Sequence, residues 1–200
     1  ADYFTHREED GTLVLNHNGK PAEREGHVTD LITSHALNWL NSAKSPWFLY
    51  VPYTAPHTPL QGPNDGPLGD KKRWNEGTRQ TYVEMVEHMD RRIGDLLKKV
   101  PQDTLVIFKS DNGGYNRSRN EPLRAGKSTV FEGGIRIPLL MQWKGRIPRA
   151  STTAQVAISM DVSATILAAA GVKPGLSLDG IDLLPHIAGG KATQPRTLFW

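Results

Sequence analysis

The chain has 200 residues, of which 38% are hydrophobic, with a mean hydropathy of −0.47 and a formal net charge of +3. That is apolar material for one sizeable core or a large piece of a bigger one, and it excludes a disordered chain. The apolar runs at 47–52 and 165–170 are too short to span a bilayer, and the charge is too slight to imply nucleic acid. With no cysteine there is no disulfide framework, zinc–thiolate centre or cysteine nucleophile.

Residues 27–41 place Val28, Leu31, Ile32, His35 and Trp39 on one helical face. The aromatic and apolar stretch 47–53 (W-F-L-Y-V-P-Y) reads as a buried strand. From 54 to 75 prolines and glycines are dense, which predicts a long irregular loop of the kind that carries function. The spacing predicts a helix over 78–100, with Tyr82, Val86, Met89, Ile93, Leu96, Leu97 and Val100 as its apolar stripe. Residues 104–110 are predicted to be a strand, whose continuous apolar run suits the middle of a parallel sheet. A second irregular stretch, 111–134, leads to a strand at 137–143. A short helix at 161–170 is then closed by Gly171. This order of elements is α/β, and no internal domain boundary is marked over 1–200. The chain starts without Met and stops at R-T-L-F-W, half of an expected strand, so both ends are expected to be cuts.

The informative stretch is F-K-S-D-N-G-G, 108–114, where the apolar run ends in a carboxylate, an amide and two glycines. In open α/β sheets ligands bind beyond the carboxyl ends of strands, where Asp111 and Asn112 stand. Their oxygens are hard donors of the type Ca2+ or Mg2+ prefers. Asn-Gly is equally a hairpin signal, although no alternating strand follows it here. His57, between Pro56 and Pro59, stands on a stiff loop, and Lys127 lies between glycines at 126 and 133–134. Taken alone, each is an ordinary loop residue. Between 109 and 136 six cations (Lys109, Arg117, Arg119, Arg124, Lys127, Arg136) accompany three acids, a balance that suits an anionic substrate or a merely solvated loop.

Together D-N-G-G, N-x-P-L-R-x-G-K-x-x-x-F-E-G-G-I-R-x-P and A-P-H-T-P-L resemble the type I sulfatases, formylglycine enzymes of the alkaline phosphatase superfamily. E-H-M-D-R-R-I-G-D-L-L, S-M-D-V-S-A-T-I-L-A-A-A-G and L-D-G-I-D-L-L-P-H-I-A-G continue the resemblance over nearly the whole chain. D-Y-F-T-H with G-H-V-T-D-L-I-T is most similar to the arylsulfatase B branch, which includes N-acetylgalactosamine-4-sulfatases. The resemblance implies an alkaline-phosphatase-like three-layer sandwich with a mostly parallel central sheet, incomplete here and covering the middle-to-late part of the catalytic domain. It implies Ca2+, in preference to Mg2+, on Asp111 and Asn112, with Lys127 and His57 as catalytic residues that also contact sulfate. Arg124 is within the class of residues that could reach the anion. Asp90, Glu132 and Arg136 are expected to be structural.

The resemblance also defines what is lacking. The family's nucleophile arises from Cys or Ser in C/S-x-P/A-x-R, and no residue here fits that pattern, so formylglycine is expected outside this chain. The chain alone is therefore expected to be inactive, as part of a parent that cleaves a small-molecule or carbohydrate sulfate ester, with an extracytoplasmic home implied by the family. Rival readings are a phosphodiesterase or phosphonate monoester hydrolase of the same superfamily, which tends to place Asp-His at this position, and a non-catalytic sulfatase-derived module. Lys109, where the family has Thr or Ser, and Ala164, in place of a proline, depart from the pattern.

Overall fold

Helix α1 (Val28–Ser42) begins at a histidine. His27 has extended backbone, and its Nδ1 accepts the Thr29 N–H at 3.3 Å, doing the work usually given to Ser, Thr, Asp or Asn at this position. The chain is described here from a computed structural model covering residues 1–200, with Lys71 described by its backbone only. It forms two units, Ala1–Val100 with Tyr115–Arg119, and Pro101–Gly114 with Asn120–Trp200.

In the first unit α1 packs on α2 (Arg79–Leu97). Thr78 caps α2 reciprocally: its hydroxyl accepts the Thr81 N–H at 3.1 Å, and the Thr81 hydroxyl faces the Thr78 N–H at 3.4 Å. The core gathers Tyr3, Ala55, Leu60 and Met85, with Phe4, Val28, Tyr82 and Met89 against it. The buried stripe of α1 is not the apolar face read from the sequence. Thr29, Thr33 and Ala36 are buried, whereas His35 and Trp39 are exposed. Small side chains let another backbone come close, and the Thr33 hydroxyl is satisfied within the helix by the Thr29 carbonyl at 2.8 Å and beside it by the Tyr53 hydroxyl at 2.8 Å. On α2, Met85, His88 and Leu96 are buried while Leu97 and Asp90 are exposed, so Asp90 has no core role.

The stretch 47–53 forms no strand. It is extended with alternating exposure, so that Phe48 (66%) and Tyr50 (74%) face outward, but it has no ladder partner in this structure. A strand is defined by pairing, which is non-local, and residue type alone does not supply the partner. The loop 54–75 is irregular as expected, broken by one 3₁₀ turn at Lys71–Asn75. It is tied to the chain start by Gln61, 0% exposed. The Gln61 Oε1 accepts the Tyr3 N–H at 2.7 Å, and its Nε2 donates to Asp2 Oδ2 at 3.1 Å and to the Gly66 carbonyl at 3.0 Å. A small exposed hairpin, β1 (Asn16–His17) with β2 (Lys20–Pro21), turns at Asn18-Gly19, both with positive φ.

In the second unit β3 (Val106–Lys109) pairs with β4 (Leu139–Gln142), with Phe108 opposite Leu140 and Lys109 opposite Leu139. The pairing is antiparallel, which corrects the parallel neighbour expected for 104–110. The apolar run is only half-buried, with Phe108 exposed, and strand direction is set by the chain's path between partners. Beyond β4, Trp143 is buried, its indole N–H donating to Asp103 at 3.0 Å with the Arg146 guanidinium over its ring. Helix α4 (Ser159–Ala169) is organised by Asp161, which is 0% exposed. Its carboxylate accepts the Ile158 N–H at 2.7 Å, the Ile181 N–H at 2.9 Å and the Arg196 guanidinium at 2.7 Å. One turn later Thr165 donates to the Asp161 carbonyl and accepts the Leu183 N–H at 2.9 Å. Helix α5 (Leu184–Ile187) follows directly.

Candidate functional site

Asp111 to Gly114 form a turn at the end of β3 that is held by backbone and by its own side chains. The Ser110 N–H continues toward β4 through the Pro138 carbonyl at 3.3 Å, and the Ser110 hydroxyl donates to the Asn112 carbonyl at 2.9 Å. Asp111 Oδ1 accepts only its neighbour's Asn112 N–H, at 3.0 Å, and the Asn112 Nδ2 donates to the Gly113 carbonyl at 2.9 Å. That leaves Asp111 Oδ2 and the Asn112 amide oxygen without a protein donor among the described residues. Asp111 is exposed and meets no cation there. Lys109, two residues earlier, instead turns its ammonium to the Ser110 carbonyl at 3.0 Å. Two adjacent hard oxygen donors with spare lone pairs are the chemistry that fits Ca2+ or Mg2+. Asn112-Gly113 makes no hairpin, because the chain after it runs against α3 (Glu132–Ile135) rather than back along β3.

The turn and the lysine loop are joined by backbone. Gly113 N–H donates to the Gly134 carbonyl at 2.8 Å, Lys127 N–H to the Gly114 carbonyl at 3.0 Å, and Gly133 N–H to the Arg124 carbonyl at 2.8 Å. Glycine is required for this approach. A Cβ on Gly113 would overlap the Gly133 carbonyl, one on Gly126 the Gly114 carbonyl, and one on Gly133 the Ala125 carbonyl. Asp111, Asn112 and Lys127 therefore share one backbone assembly. Lys127 is half-buried, and its ammonium has no ion-pair partner among the described residues. Arg124 is exposed, its guanidinium 3.9 Å above the Phe131 ring, while Glu132 and Arg136 pair with each other at 3.2 Å on the surface of α3.

His57 belongs to the first unit. Since 47–53 forms no strand, its loop does not issue from a strand end as expected. It is fixed instead by its N–H to the Thr54 carbonyl at 2.9 Å and by Tyr3, whose hydroxyl donates to the His57 carbonyl at 3.0 Å. Burial holds the Tyr3 phenol well above its ordinary range, so it remains a donor. The His57 Nδ1 lies 2.7 Å from the Thr58 carbonyl, which can only accept, so Nδ1 donates there and Nε2 is the nitrogen left free on an exposed ring.

A second titratable cluster, His27, Asp30 and His88, brings its ligand-type atoms within 4.8 Å of one another. It reads as a hydrogen-bond network. Both His27 nitrogens are engaged, Nδ1 by Thr29 and Nε2 by the Gln61 carbonyl at 3.2 Å, and Asp30 is already answered by the Arg92 guanidinium at 2.6 Å. His88 Nε2 stands 3.1 Å from Asp30, off the line of a well-formed hydrogen bond. Burial lowers both imidazoles, outweighing the Gln61 bond at His27 and the Asp30 carboxylate at His88.

Residue Asn120 was not singled out in the sequence, yet it makes three bonds in this assembly. The signal was its place in N-x-P-L-R, between the two glycine turns.

The family model described as Sulfatase matches residues 1–172. N-acetylgalactosamine-6-sulfatase of Canis lupus familiaris is 33% identical over 192 residues, 88% of this chain and 35% of that protein. The uncharacterized sulfatase YdeN of Escherichia coli is 32% identical over 100% of this chain and 39% of its own. The crystal structure of Ps i-CgsB superposes with a TM-score of 0.78 at 33% identity, covering 90% of this chain and 43% of that one, and it has also been solved in complex with k-i-k-neocarrahexaose. The chain thus spans about a third of the length of the curated relatives it matches, 35% of the dog enzyme. These structural neighbours share the alkaline-phosphatase-like α/β fold expected from the sequence.

Proposed function

The chain belongs to the Sulfatase family, and from that premise we propose that it is the calcium- and sulfate-binding portion of a sulfuric ester hydrolase acting on a carbohydrate sulfate. The observation that carries the reading is the pair of unsatisfied oxygens on Asp111 and Asn112, held on a backbone assembly that also holds the unpaired Lys127. Asp111 and Asn112 would hold Ca2+, which, when bound, supplies Lewis-acid polarisation and a template for the anion. Lys127, whose backbone N–H is fixed on the Gly114 carbonyl, would offer its ammonium to the charge that gathers on sulfate and the bridging oxygen. A fixed cation of this kind is worth about 3 kcal/mol in the transition state. The family resemblance gives His57 the part of proton donor to the leaving oxygen, and Nε2 is the ring nitrogen left for that part, since Nδ1–H is committed to Thr58. Arg124, stacked over the Phe131 ring, would have to leave that ring to reach the anion.

The nucleophile, a formylglycine, is supplied from outside this chain, which has no cysteine. A carbohydrate substrate is supported by the neocarrahexaose complex of a protein that is 33% identical. The likeness to the arylsulfatase B branch rests on the motifs alone. The same reading places the parent outside the cytoplasm. Among the described residues no helix is long and apolar enough to cross a membrane.

The test is calorimetric titration of the chain with Ca2+ and then sulfate. Wild type is expected to bind Ca2+ and Asp111→Ala to lose it. Lys127→Ala is expected to keep Ca2+ but lose sulfate, and no protein should turn over an aryl sulfate. Equal Ca2+ binding by wild type and Asp111→Ala would refute the assignment.

A further inference from the structure

We propose that Asn120 is a positioning residue that sets the sulfate-binding lysine against the metal-ligand turn. The inference rests on the functional reading above and adds a residue to it. The Asn120 Oδ1 accepts the Gly114 N–H at 3.1 Å, and its Nδ2 donates to the Gly114 carbonyl at 3.0 Å and to the Ala125 carbonyl at 3.1 Å. One planar amide thus closes both polar groups of Gly114 and reaches across to the residue two before Lys127.

The Gly114 carbonyl has a second donor, the Lys127 N–H at 3.0 Å. The same oxygen is therefore bonded to Asn120 and to the lysine, and displacement of one alters the other. The lysine loop requires such a hold. Ala125 and Ser128, on either side of Gly126-Lys127, sit at φ +64 and +70, which costs a non-glycine residue on the order of 1 kcal/mol or more and persists only where surrounding bonds impose it. Asn120 imposes it at Ala125. No other side chain of this length offers an acceptor and two donors in one plane. Asp lacks the donors, and Gln carries the amide one methylene too far.

Asn120 also stands where the chain re-enters this unit, after Tyr115–Arg119 have run with the first one. There the Arg117 guanidinium donates to the Gly77 carbonyl at 3.0 Å. The five residues between Gly114 and Asn120 form an excursion whose two ends the Asn120 amide ties together. The positioning is thus independent of what the excursion touches.

The experiment compares wild type, Asn120→Ala and Asn120→Asp of the 200-residue chain by amide hydrogen exchange and by titration with sulfate in the presence of Ca2+. Asn120→Ala is expected to expose both the Gly114 and Lys127 amides to exchange and to weaken sulfate by about tenfold or more, as loss of two or three hydrogen bonds implies. Exchange within α4 should not change. Asn120→Asp retains the acceptor for Gly114 but not the donors, so Gly114 should stay protected while Lys127 opens. This variant carries the test should Asn120→Ala fail to fold. Unchanged Lys127 exchange in both variants, or sulfate affinity equal to wild type, would overturn the proposal. Failure of wild type to bind either ion would instead overturn the calcium–sulfate reading, and the exchange pattern would still decide whether Asn120 sets the lysine loop.

Discussion

Gly113→Ala is the sharpest perturbation of the backbone assembly. Its added Cβ would overlap the Gly133 carbonyl and come within 2.8 Å of the Gly134 Cα, where ordinary contact begins near 3.4 Å. Neither obstacle is the tip of a flexible side chain, so the strands of backbone must part by well over half an ångström. That movement breaks or stretches the Gly113 N–H bond to the Gly134 carbonyl, now 2.8 Å. Overpacking of this kind costs about 1–3 kcal/mol and a lost hydrogen bond about 0.5–1.5 kcal/mol. The combined loss of about 2–4 kcal/mol corresponds to about 30- to 1,000-fold in an equilibrium constant. Because the movement is centred beside Asp111 and Asn112, it should appear in Ca2+ affinity by calorimetry and in urea midpoint by circular dichroism. Gly175→Ala is the control: nothing lies within 4 Å of its added Cβ, and a change within about 0.5 kcal/mol is expected. Gly113→Ala with wild-type Ca2+ affinity and an unchanged urea midpoint would refute the claim that glycine is needed for close approach.

Asp161→Ala leaves the Arg196 guanidinium and the Ile158 and Ile181 N–H groups without their acceptor. It should destabilise by about 3–5 kcal/mol in urea unfolding, whereas a loss under about 1 kcal/mol would show that the carboxylate is dispensable. Stability should also depend on pH through His27 and His88, whose folded pKa values lie below the ordinary 6.5. The unfolded chain then binds more protons than the folded one just below that value. The stabilisation is complete above it and is lost as pH falls from about 6.5 toward the folded values. His27→Gln should flatten this limb of a plot of urea midpoint against pH, and an unchanged slope would show that another group titrates.

Three helices were legible because their signals are local. Thr78 announces α2, apolar residues recur along it, and Gly171, at φ +67, follows α4. Periodicity did not identify the seam of α1, because Thr29, Thr33 and Ala36 are buried for their small size against a neighbour and not for their hydrophobicity. His27 was legible neither as a cap nor as a buried ring, since its 5.0 Å contact with Tyr3 joins residues far apart in sequence. The strand expected at 47–53 failed for the reason that parallel pairing failed at 104–110: composition reports how a segment would sit in a sheet, and the partner lies elsewhere. Within the site, Asp111, Asn112 and Lys127 stand out by residue type. Asn120 does not, because an asparagine in a glycine-rich loop ordinarily means a turn.

The glycines explain why the Asp111 and Asn112 side-chain oxygens stay free. A carboxylate at a loop tip normally finds an N–H or a cation by small rearrangements. Here Gly113 is pressed on Gly133, Gly126 on Gly114 and Gly133 on Ala125, with carbonyl oxygens filling the space a Cβ would take. Backbone donors nearby are consumed in these crossings: Gly113 by Gly134, Gly114 by Asn120, Lys127 by Gly114 and Gly133 by Arg124. Asp111 is left with its neighbour's N–H, and Asn112 turns only its Nδ2 inward, to Gly113. With these donors engaged, Asp111 Oδ2 and the Asn112 amide oxygen have no protein donor among the described residues. Close backbone packing and free side-chain oxygens are therefore two consequences of one glycine pattern, and adding a Cβ at any of these crossings should disturb both together.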